Sequence, residues 1–159
     1  MSMNGSKARR VLMPSVVLAG VAGVCLAPAA LAGLGETAAS VQRDHTALRG
    51  TALTVTPMAS YDLHEITTAD NSVREYVSHA GNVFAVTWSG RARPDLSVVL
   101  GARYAEFTKS ATSHPASHKV FALTTNDLVM HVQKLPRGIV GEAHAPSLFP
   151  AGVSAQDIR

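Results

Sequence analysis

Residues 83–88, VFAVTW, carry the strongest alternation in the chain. Phe84, Val86 and Trp88 fall on one face of an extended segment, and Val83, Ala85 and Thr87 on the other. Neither face is strongly polar, so this strand is expected to be covered on both sides. Upstream, Tyr61, Leu63 and Thr67 alternate with Asp62, His64 and Ile66, a mixed pattern for a strand with unequally buried faces. Between them lies a middle strand at 73–78, bounded by polar turns at 69–72 and at Gly81-Asn82. Three such strands form an antiparallel unit that needs other elements packed on it to be stable.

The flanking chain supplies those elements. Residues 36–49 read as a helix, with Val41, Asp44 or His45, and Leu48 at helical spacing and Gly50 ending it. Residues 51–56 read as a lead-in strand whose continuation is limited by Pro57. After a loop at 90–94, Asp95 is placed to cap a helix over 96–100. Gly101 breaks that helix before a second segment whose Tyr104 and Phe107 are expected on the aromatic face of the sheet near Trp88. A polar loop at 110–117 contains Pro115, which opposes a helix there. Two further strands at 120–123 and 128–132, a turn at 134–138 and a short strand at Ile139-Val140 follow. Pro146, Leu148, Phe149, Pro150 and Val153 then make an aperiodic apolar tail expected to pack over the domain. The class predicted is α+β, a small, meander-like antiparallel sheet with one or two packed helices.

The first 32 residues are organised differently. Lys7, Arg9 and Arg10 precede an uncharged run from 11 to 32 that closes on Ala30-Leu31-Ala32, the order of a secretory signal cleaved before Gly33. A retained membrane anchor is the rival reading, since 22 residues suffice to span, but Pro28 sits where such a segment breaks ahead of a cut. Lipidation on Cys25 is disfavoured by the bulky Val24 before it. The expected organisation is therefore a signal peptide at 1–32 and a single domain at 33–159, exported to the periplasm or beyond, with Gly33-Leu34-Gly35 a flexible start and no stable membrane span after cleavage.

Cleavage changes the charge argument. The chain has 14 basic and 11 acidic residues; three basic ones leave with the signal, so the 127-residue domain is formally neutral. Nothing in that balance points to nucleic acid or an anionic membrane as a partner. The sole cysteine leaves too, removing disulfide and thiolate chemistry.

Candidate chemistry is sparse. His114 and His118 have a metal-ligand spacing, but Pro115 between them argues for a loop, and neither metal nor cofactor is expected. No nucleophile elbow or paired-histidine zinc motif is present; His64-Glu65 comes nearest and lacks the second histidine. No catalytic residue is assigned. On the middle strand Arg74 and Tyr76 face one side and Glu75 the other, where it would meet His64 if the hairpin register allows. His64, Arg74, Glu75, Tyr76 and Trp88 are the candidate binding residues, although an ion pair and a core aromatic are the plainer readings of the charged trio and of Trp88. The function expected is a non-catalytic binding or structural role toward an unknown envelope or extracellular partner. The alternative is a small hydrolase-like enzyme with a site assembled around His64, Arg74 and Glu75.

Several segments taken together resemble one known family. They are Leu34-Gly35, Leu48-Arg49-Gly50, His64-Glu65-Ile66, Arg74-Glu75-Tyr76-Val77, Val83 through Trp88, Pro94-Asp95-Leu96, Leu100-Gly101 and Pro150-Ala151-Gly152-Val153. This pattern is similar to that of a bacterial family of exported proteins known only as domain of unknown function 2844. The resemblance covers nearly the whole domain and implies a single exported unit with no established activity, ligand or partner. His114, His118 and His144 fall outside the shared pattern.

Overall fold

The computed structural model describes Met1, residues 33–111 and residues 119–158. The expected signal segment, Pro115 and the pair His114 and His118 lie outside the described residues. Seven strands form one antiparallel sheet in the order β1-β2-β3-β4-β7-β6-β5. They are β1 (Ala52–Pro57), β2 (Tyr61–Thr67), β3 (Asn71–Ser78), β4 (Val83–Gly90), β5 (Val120–Thr124), β6 (Val129–Leu135) and β7 (Gly138–His144). Three short α-helices accompany them: α1 (Val41–Ala47), α2 (Leu96–Val99) and α3 (Tyr104–Ala111). The class is α+β as expected, and β1 to β4 are a meander.

The expected elements form for the expected local reasons. The Asp95 carboxylate accepts from the Ser97 amide at 2.8 Å and caps α2, and a 3-10 turn over Gly101–Arg103 separates α2 from α3. The β2–β3 turn is tied by Thr68, whose hydroxyl accepts from the Asn71 amide at 3.0 Å. Pro57 is the last residue of edge strand β1, where a missing N–H costs no ladder bond beyond it.

The sheet has two differently covered faces. Under α1, α2 and α3, Val41, Leu96, Val99 and Leu100 pack with Ile66, Val73, Val86, Trp88, Met130 and Ala143, and Tyr104 and Phe107 join the same core. On the opposite face Tyr76, Phe84 and Ala85 are covered by the C-terminal tail through Leu148, Phe149, Val153 and Ile158. Tyr61 and Phe149 approach the Phe84 ring at centroid distances of 5.7 and 5.2 Å. The tail therefore packs as its apolar content predicts.

Three expectations are corrected. Phe84 does not share a face with Val86 and Trp88. The ladder slips at Tyr76/Val77, where Val77 faces Val83 and Tyr76 faces Ala85, so Phe84 is the extra residue of a bulge and turns toward the tail. The last strand is not the stub Ile139-Val140. It runs through His144 and inserts between β4 and β6 in the middle of the sheet. Nor is the start of the domain loose. Leu34 is fully buried, its amide donates to the Val99 carbonyl at 3.1 Å, and the Gly35 amide donates to that of Val83 at 2.8 Å.

Candidate functional site

The five sequence candidates do not converge. His64 and Glu75 are partners in the β2–β3 register and Trp88 lies on that same helix-covered side. Arg74 and Tyr76 point to the opposite face, as strand alternation requires. A single site built around His64, Arg74 and Glu75 is therefore not formed, because the sheet separates the guanidinium from the other two. Tyr76 is 2% exposed within the tail-side cluster. Trp88 is equally buried and its indole lies across Gly141 of β7, so it is a core residue.

Beneath α1 lies a pair of buried carboxyls. Asp44 and Glu75 have no exposed surface, and no N–H or O–H of any other described residue reaches their four oxygens. They hydrogen-bond to each other, which requires a proton on one of them. Burial first, then the neighbouring Asp44 charge, pushes the Glu75 carboxyl up to about 9. Burial likewise raises Asp44 to about 6. His64 makes no hydrogen bond to Glu75, and its own burial lowers its pKa, against an opposing effect of Asp62. The pair is closed to solvent and so presents nothing to a substrate.

The other polar site is open. The tail covers only the part of its face around Tyr76, Phe84 and Ala85. Beyond Ile158 a groove of about 470 Å³ runs over β3, β4, β7 and β6. The register aligns two rows across it: Arg74, Thr87, Glu142 and His131 in one, and Ser72, Ser89, Val140 and Gln133 in the next. Glu65 accepts from the Ser72 hydroxyl at 2.9 Å and from Arg74 Nε at 3.0 Å. The Ser72 hydroxyl and then the guanidinium hold the Glu65 carboxyl below its ordinary range. On the other wall His131 Nδ1 lies 3.0 Å from Glu142 Oε1. Both the Glu65–Arg74 and the His131–Glu142 contacts are thus made within the wall, while Thr87, Ser89 and Gln133 between them make no side-chain hydrogen bond among the described residues. Val120, Val140 and Ile158 add apolar surface. A carboxylate-oriented histidine resembles part of a nucleophilic triad, but the β5 residue opposite His131 is Ala122, which offers no hydroxyl.

Of the residues lining the groove, Arg74 and Trp88 are candidates in the sequence. The others lie on strands far apart in the chain, and no local spacing signals that β7 sits beside β4.

With the geometry in place, comparison with known proteins adds one finding. A family model described as "Protein of unknown function (DUF2844)" matches residues 30–158. The chain belongs to that family. No curated protein and no solved structure matches it. Membership in DUF2844 thus agrees with the segments noted in the sequence, and its matched span takes in every described strand and helix. Among the described residues no helix is long and apolar enough to cross a membrane.

Proposed function

We propose that this DUF2844 protein is exported by a cleaved signal at 1–32 and acts in the envelope or outside the cell as a non-catalytic binding domain. Its ligand is taken on the open sheet face. The observation that carries this reading is the groove, where unpaired neutral side chains stand over partly apolar walls between the Glu65–Arg74 ion pair and the hydrogen-bonded His131–Glu142 pair. Such a lining suits a small, uncharged ligand with both hydroxyl or amide groups and an apolar surface. Strong anions and cations gain little there, since Arg74 and Glu142 are already partnered.

The test is a ligand screen by heteronuclear NMR on the protein, using mono- and disaccharides and neutral amino-acid amides as probes. Binding is expected to move the amides of Thr87, Ser89, Glu142 and Gln133 together. Ser89→Arg, at an exposed position on the groove, is expected to abolish the response without unfolding the domain. Responses located elsewhere, or unchanged in Ser89→Arg, or absent for the whole panel would sink the assignment of the groove as a binding site.

A further inference from the structure

Asp44 from α1 and Glu75 from the middle of β3 are wholly removed from water, and their side chains hydrogen-bond to each other. Two ionised carboxylates in contact inside an apolar core would carry both a desolvation cost and mutual repulsion. One proton between them removes the repulsion and makes a hydrogen bond across the helix–sheet interface. Two nearby donors do not serve the pair. The hydroxyl of Ser40, one turn before Asp44 and itself fully buried, has no hydrogen-bond partner, and neither does buried His45 Nε2.

We infer that α1 is latched to the sheet by a proton shared between Asp44 and Glu75, and that loss of this proton as pH rises loosens the helix. The surrounding groups do not compensate for the charge. Arg43 on α1 favours the ionised Asp44, and Glu36 ahead of the helix opposes it. On β2, His64 opposite Glu75 is shifted toward its neutral form by burial, with Asp62 opposing. The β4 partner of Glu75 is Val86, and α2 contributes only Leu96 and Val99 to this core, so neither presents a cation. The upward shift of both carboxyls fits this arrangement.

The sign follows from proton linkage. The folded chain holds a proton that unfolded Glu75 and Asp44 release in the ordinary carboxylate range. Their contribution is complete below that range and declines as pH rises toward the folded values. Buried His64 and His144 act oppositely, since their folded pKa values are lowered, but their contribution is complete by about pH 7. The diagnostic window is therefore from about pH 7 to about pH 8.5.

Urea unfolding of the full chain across that window should show the unfolding constant rising by between about threefold and tenfold per pH unit, tenfold being the limit for one proton. Glu75→Gln should flatten this dependence, because a neutral amide needs no proton and its NH₂ can donate to Asp44. A rise below about threefold in the parent, or an equal rise in Glu75→Gln, overturns the latch. Two measurements on the parent keep the test decisive if that variant does not fold. Carbon-13 carboxyl shifts of Glu75 and Asp44 should show at least one step above about pH 7; two ordinary titrations below about pH 5 contradict the shared proton. Amide exchange of α1, corrected for intrinsic rates, should accelerate across the window relative to β4, and protection that stays constant rejects the helix as the element released.

Discussion

Trp88 shows what a single side chain contributes to this fold. Its ring is 2% exposed, shares the main core with Leu96, Val99 and Leu100, and has an indole N–H without a partner. Packing therefore outweighs an unmet hydrogen bond at this position. Truncation removes the transfer free energy of a large aromatic and leaves a cavity, a loss of about 3–5 kcal/mol. That is a large share of the roughly 5–15 kcal/mol that stabilises a typical domain. Trp88→Ala is expected to lower the denaturant midpoint sharply or to unfold the protein. Arg91→Ala is the control: its guanidinium meets Asp70 at 3.2 Å with side chains 78% and 56% exposed. A pair so exposed contributes under about 1 kcal/mol. Urea unfolding followed by circular dichroism compares the two without relying on the lost fluorophore. A Trp88→Ala midpoint equal to the parent's would contradict the packing described.

At the scale of elements, the junction of β4 and β7 holds the centre of the sheet, and it rests on a glycine. A Cβ built at Gly141 would lie 2.3 Å from Trp88 Cζ2 and 2.4 Å from Cε2. No side chain fits there while the indole remains where it is. Gly141→Ala should therefore cost about 1–3 kcal/mol through overpacking. In a Trp88→Ala background the same methyl enters a vacated space and should cost much less. A double-mutant cycle by urea unfolding should give a coupling of at least about 0.5 kcal/mol; simple additivity would show that the two residues do not compete for one volume. The same contact explains why β7 is hard to read from sequence. Gly141 looks like a strand breaker, yet it is where a neighbouring ring needs the backbone bare. The helices and the first four strands are legible because caps, turns and alternation lie within a few residues of each other. The bulge that reverses Phe84 is not, because it depends on the pairing of Val77 with Val83, which alternation along one strand does not reveal.

At the scale of the whole molecule, legibility stops at long-range pairing. Strand alternation puts Arg74 opposite in direction to Glu75, and the structure agrees. The groove that Arg74 borders arises only because β7, which begins at Gly138, inserts between β4 and β6. The carboxyl pair has the same origin: Asp44 occupies the inward stripe of α1, but its partner Glu75 comes from a separate strand, β3, and is set by how the helix packs on the sheet. The start of the domain carries a consequence for export. Gly33 is buried with φ 114°, and a Cβ there would stand 2.3 Å from the Val98 carbonyl oxygen and 2.7 Å from that of Val99. Leu34 follows directly into the core. If cleavage occurs between Ala32 and Gly33, the scissile bond borders a residue packed against the end of α2, so a peptidase would have to act before α2 assembles against it. Removal of the signal during translocation of an unfolded chain meets that condition, whereas late trimming of a folded precursor does not. On the proposed reading of a signal cleaved before Gly33, the protein is expected to have an intact mass corresponding to residues 33–159, with processing complete at the earliest times after synthesis. Pulse-labelling of producing cells, with intact-mass analysis of the soluble envelope fraction, measures both. A persistent full-length species in the membrane fraction would contradict cleavage, and slow conversion of an already folded, protease-resistant precursor would contradict the order of events.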